Sequence, residues 1–111
     1  MATIDKYPYA KDLKVGDVVC TISSYRMNLG LFAGFGNGTF QIYEPWSVYR
    51  WKNLQENYNS KISRPHVTYT KAYEENIVKV DVNGLIDEKK KEIEEALQIL
   101  IEHKFVKNYE Q

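Results

Sequence analysis

Val15-Gly16-Asp17-Val18-Val19-Cys20-Thr21-Ile22-Ser23 opens a stretch, Leu13 to Trp51, in which turn glycines cut an apolar, β-rich run into short pieces. Tyr25-Arg26-Met27-Asn28 follows, Leu29 to Gly38 carries four glycines, and Thr39-Phe40-Gln41-Ile42-Tyr43 resumes the alternation. Short alternating runs of β-branched and aromatic residues, bounded by Gly and Asn, are the pattern of half-buried strands. The stretch therefore predicts a small, strongly bent β-meander.

Within it, Val18 to Ser23 reads as the first strand, with Val18, Cys20 and Ile22 on one face and Val19, Thr21 and Ser23 on the other. Tyr25 to Asn28 reads as a loop and Leu29 to Phe35 as a second strand, where Gly30 and Gly34 permit curvature or a bulge. Gly36-Asn37-Gly38 is a tight hairpin signal, because Asn and Gly both tolerate positive φ. Phe40 to Tyr43 returns and ends at Glu44-Pro45. Trp46 to Trp51 fits a fourth strand and a helical turn equally, and the polar stretch Leu54 to Ser63 reads as a long loop. His66 to Tyr73 has β character, and Asn76 to Val82 alternates as a closing strand.

Beyond Asn83-Gly84 the period changes from two to that of a helix. Asp87 is the expected N-cap of a helix running to about Lys104, within the span 84–107. Ile93, Ala96, Leu97, Leu100, Ile101 and Phe105 share one face, with Lys90–Glu94 and Lys91–Glu95 four apart on the other. An isolated helix of this length is marginal, so the stripe must dock, either on its own sheet or on a second copy in a homodimer. The expected class is α+β: one domain over residues 1–111, with an antiparallel barrel or meander at 13–82 and one C-terminal amphipathic helix.

At 111 residues there is room for one modest core, and the 43% hydrophobic content is ordinary for a globular chain. Fifteen basic and fifteen acidic residues cancel, which argues against non-specific attraction to nucleic acid. No apolar run approaches the roughly 20 residues that span a bilayer, and the first residues lack the apolar core of a secretory signal. Cys20 is the only cysteine, so no internal disulfide forms. The expected setting is cytoplasmic, with no membrane partner.

No catalytic constellation assembles. His66 and His103 lack the neighbours of a metal site, and Cys20 alternates with Val18 and Ile22 as a buried hydrophobe would. The glycines from Gly30 to Gly38 lack the Lys-Ser/Thr and the following helix of a phosphate loop. Neither an enzyme, a metal nor a cofactor is expected.

Charge is uneven along the chain. From Ser47 to Tyr73 there are five cations (Arg50, Lys52, Lys61, Arg64, Lys71) against one acid, Glu56, interleaved with Trp46, Tyr49, Trp51, Tyr58, Tyr69 and Tyr73. Basic groups beside exposed rings clamp anions, stack bases or anchor a protein partner. Such stems also cover aromatic edges on ordinary surfaces, so structural decoration competes with function here. The candidate binding residues are Tyr25, Arg26, Trp46, Tyr49, Arg50, Trp51, Lys52 and Arg64.

Leu13-x-Val15-Gly16-Asp17-x-Val19, Leu29-Gly30-Leu31-x-x-Gly34-Phe35 and Asn76-Ile77-Val78-Lys79-Val80 together resemble the small SH3-like barrel proteins among accessory genes of tailed bacteriophages. The resemblance covers residues 13 to 82. The insertion between Trp51 and Thr68 and the appended helix depart from the plain pattern. It implies a non-enzymatic module, an inhibitor or adaptor engaging a host or defence protein in the host cytoplasm. The alternative from the residues themselves is a binder of an anionic, nucleotide-type ligand or of nucleic acid, through Arg50, Lys52 and Arg64 with neighbouring rings.

Overall fold

The computed structural model describes residues 12–22, 27–36, 39–70 and 77–106. They form an α+β fold: a five-stranded antiparallel sheet and two helices. The strands are β1 (Val18–Ile22), β2 (Met27–Gly36), β3 (Thr39–Tyr43), β4 (Thr68–Thr70) and β5 (Ile77–Lys79). Helix α1 (Pro45–Tyr58) lies between β3 and β4, and α2 (Asp87–Glu102) follows β5 through a short 3-10 turn at Val82–Gly84.

The order across the sheet is β4-β3-β2-β1-β5, so the last strand returns beside the first. Among the described residues β4 pairs only with β3 and β5 only with β1, leaving the sheet open where the sequence suggested closure. The Asn37–Gly38 turn lies outside the described residues, but its two strands are in the hairpin register expected, Gly36 opposite Thr39. β2 is longer than its alternation suggested, taking in Met27 and Asn28, which read as loop.

Glycine is required at two places in this sheet. Gly34 adopts φ +96° where the β2–β3 register slips between Phe32 and Gly34, making Ala33 the extra residue of a bulge. At Gly30 a Cβ would lie 2.8 Å from the Tyr43 carbonyl oxygen, too close for any side chain.

The sheet is buried on both faces. Val18, Leu31 and Tyr43 face the helices and pack with Val48, Val67, Ile93, Ala96, Ile99, Leu100 and Val106. Val19, Phe32, Phe40 and Ile42 make a second cluster with Leu13, Phe35 and Ile77. Val18 and Val19 thus separate to opposite faces as the alternation requires. In the second cluster Phe35 meets both Phe32 and Phe40 edge to face, with centroids 5.5 and 5.8 Å apart.

The choice left open for Trp46 to Trp51 falls to the helix, and the expectations for Leu54 to Ser63 and for the ends of the C-terminal helix are corrected. Trp46 to Trp51 is helical, and α1 continues through Leu54 to Tyr58, well into the supposed loop. Pro45 at the first helical position starts α1, and Asn59 ends it in the left-handed region at φ 51°. Asp87 is the first residue of α2 and not its cap, which is Ile86. Asp87 and Glu88 still favour the helix from its first turn through the macrodipole. α2 ends at Glu102 with His103 as its C-cap, and its ion pair is Lys89–Glu92 at 3.5 Å rather than the i,i+4 pairs. Its apolar stripe, with Ile99 added, is buried within the same chain. No helix among the described residues is long and apolar enough to cross a membrane.

Candidate functional site

Two adjacent rows of α1 side chains, each spaced four residues apart, build the site. Ser47, Trp51 and Gln55 form the first row and act as clamps on the chain that leaves the helix. The Ser47 hydroxyl donates to the His66 carbonyl at 2.8 Å. The Trp51 indole N–H donates to the Ile62 carbonyl at 2.9 Å, and the Gln55 amide donates to the same carbonyl at 2.6 Å. Residues 59–67 are thereby strapped back along α1. That strap satisfies backbone carbonyls which an unattached loop would leave to water.

The neighbouring row is Trp46, Arg50 and Leu54. With Ile62, Arg64, Pro65, His66 and Tyr69 from the strap and β4, it walls an open groove of about 700 Å³. Trp46 is 54% exposed and Tyr69 51%, so the groove carries two large rings that the core does not use. Arg50, Arg64 and His66 are exposed on its walls. Among the described residues no Asp or Glu lines it.

The position of Trp46 is fixed by a buried carboxylate. Glu44, 8% exposed, accepts from the Trp46 indole N–H at 3.2 Å and from the Thr68 hydroxyl at 2.8 Å. The contact ties the start of α1 to β4. Trp46 is also the ridge between the groove and a smaller cleft of about 430 Å³, bounded by Met27, Leu29, Tyr49, Lys89 and Glu92.

The sequence candidates separate into three sets. Trp46, Arg50, Trp51 and Arg64 converge on the groove, although Trp51, 7% exposed, is a structural wall. Its ring meets His103 at 4.9 Å and Phe105 at 5.3 Å, both edge to face. Tyr49 points the other way: its hydroxyl donates to the Glu92 carbonyl at 2.8 Å and to Glu95 at 3.3 Å, joining α1 to α2. Burial, and then the Glu95 and Glu92 carboxylates, push its phenol up to about 12. Lys52 is half-buried on α1 and does not line the groove. Tyr25 and Arg26 lie outside the described residues.

Arg64 lies 5.8 Å from the centre of the Tyr43 ring. Burial pushes the Tyr43 phenol up, and Arg64 pulls it part of the way back. Leu54, Ile62 and Pro65 were not singled out beforehand. Leu54 had a legible signal, the four-residue spacing from Trp46 through Arg50, which becomes informative only once the segment is known to be helical. Among the described residues no cluster of three or more His, Cys, Asp or Glu is placed to hold a metal ion. Compared with protein-family models, with curated proteins and with solved structures, the chain matches none.

Proposed function

We propose that this protein is a non-enzymatic binding module, an inhibitor or adaptor that engages another protein through the groove beside α1. The observation that carries the reading is Trp46: a large ring, half exposed, yet held in one place by the buried Glu44 carboxylate. A positioned aromatic at the rim of a groove of about 700 Å³ is the anatomy of an interface anchor. Preorganisation lowers the entropy lost when a partner docks.

The architecture is read as a relative of the small SH3-like barrels of phage accessory proteins, acting on a host or defence component. Support for this kinship comes from the strand order, with the last strand beside the first, while among the described residues the sheet stays open between β4 and β5. The partner itself is proposed from the resemblance alone.

The test uses the tagged full chain in a bacterial lysate. A stoichiometric partner retained by the native protein and lost with Trp46→Ala or Tyr69→Ala, at unchanged melting temperature, is the expected result. Retention of every interaction by both variants overturns the reading.

One observation favours a second reading, an anionic nucleotide-type ligand: Arg50 and Arg64 share the groove with two exposed rings and, among the described residues, no carboxylate. It requires that nucleotides quench Trp46 fluorescence and that salt weakens the effect. A flat titration removes it.

A further inference from the structure

Building on the groove as a protein-binding site, we propose that its occupant is an extended acidic peptide segment with apolar side chains interspersed, seated between the Trp46–Arg50–Leu54 row and the strap.

Charge argues first. Arg50, Arg64 and His66 line the groove and, among the described residues, no carboxylate does. The ion pairs among the described residues are Lys79–Asp17 and Lys89–Glu92, so neither Arg50 nor Arg64 is paired with a described carboxylate, and Arg64 rests against the Tyr43 ring. Guanidinium forks take carboxylates in paired hydrogen bonds, which adds geometry to charge.

Apolar surface argues second. Leu54, half-buried, and Ile62, exposed, line the groove together with the cations and the rings of Trp46 and Tyr69, so a wholly polar ligand would leave that surface wet. The row from residue 46 to 54 spans about 12 Å of helix, which about four extended residues match. Alternation in such a segment turns successive side chains to opposite sides, so apolar and acidic residues in turn suit one apolar floor with cationic walls.

The same geometry disfavours a phosphate. A helix N-terminus holds a phosphate through free backbone N–H groups and its dipole, but at the start of α1 Pro45 has no N–H and Ser47 and Val48 both donate to the Glu44 carbonyl. Glu44 occupies that end, its carboxylate fixed by Trp46 and Thr68. A phosphate there would meet a buried negative charge.

The test is selection of random twelve-residue displayed peptides on the full-length protein, followed by anisotropy titration of the winners. Enrichment of Asp and Glu alternating with Leu, Ile or aromatic residues is expected, with binding lost in Trp46→Ala. The double variant Arg50→Glu/Arg64→Glu should weaken the winners by at least about tenfold, since both pairs are lost and the reversed charges repel an acidic segment. Lys52→Glu, off the groove, should leave binding unchanged and controls for net charge. Winners that depend on Trp46 but are neutral or basic overturn the acidic assignment while the binding module stands. No Trp46-dependent winner overturns both. Displacement of the winners by ATP or a single-stranded oligonucleotide at equal concentration, or a Trp46-dependent dimer of the chain, overturns the peptide in favour of that occupant.

Discussion

The Trp46 indole N–H donates to the Glu44 carboxylate at 3.2 Å, across the boundary between β3 and α1. The same Oε2 accepts from Thr68 at 2.8 Å, so one buried acid fixes an exposed ring and holds the short edge strand β4 to the helix start. Replacing Glu44 by Ala removes the acceptor for both donors and should cost about 1–3 kcal/mol. Urea unfolding of Glu44→Ala measures the cost, and time-resolved anisotropy should show Trp46 gaining motion. An immobile Trp46 in that variant would contradict the assigned role.

The two tryptophans should behave oppositely. Trp51→Ala removes a buried ring, its hydrogen bond to Ile62 and its contacts with His103 and Phe105, and should cost about 3–5 kcal/mol. Trp46→Ala truncates an exposed ring and should stay within about 1 kcal/mol of the native protein. Acrylamide should quench the fluorescence remaining in Trp51→Phe far more than that remaining in Trp46→Phe. Equal quenching would place the rings differently.

Alkaline pH should loosen the contact between the helices. The folded-state Tyr49 phenol is raised to about 12, against about 10 for an unfolded chain. A raised value means that the folded state holds the proton more tightly. The stabilisation is therefore complete below pH of about 10 and is lost as pH rises towards about 12. Tyr43, also raised, acts in the same direction. Urea midpoints measured across that window should fall less steeply for Tyr49→Phe than for the native chain. Parallel curves would refute the coupling.

Gly16 brings the turn before β1 against Val106, just beyond α2. It holds φ +103°, and a Cβ there would lie 2.5 Å from Val106 Cγ1. Gly16→Ala combines the left-handed penalty with that collision and should cost about 1–3 kcal/mol. Gly84→Ala, with nothing near its Cβ position, is the control and should be close to neutral. Equal melting temperatures for the two variants would sink the prediction.

Much of the sheet was legible because strand alternation and turn glycines are local. Val18 and Val19 part to opposite faces, Gly34 marks the bulge, and the stripe of α2 from Ile93 to Leu100 is buried. Trp46 to Tyr58 was not legible in the same way. Tyr, Trp and Val suit strands, Leu and Gln suit helices, and α1 has no broad apolar face to break the tie. What selects the helix is tertiary: Val48 enters the core, Tyr49 bonds to α2, and Trp51 bonds to the strap.

The chain alone determined which segments alternate, where positive φ is tolerated and that cations and rings concentrate between Ser47 and Tyr73, since each is a property of neighbouring residues. Only the tertiary structure decided which of those rings face outward. Trp46 and Trp51 are five residues apart on one helix, and the strap that covers one and leaves the other open is held by hydrogen bonds from Ser47, Trp51 and Gln55 to residues 7 to 19 positions away.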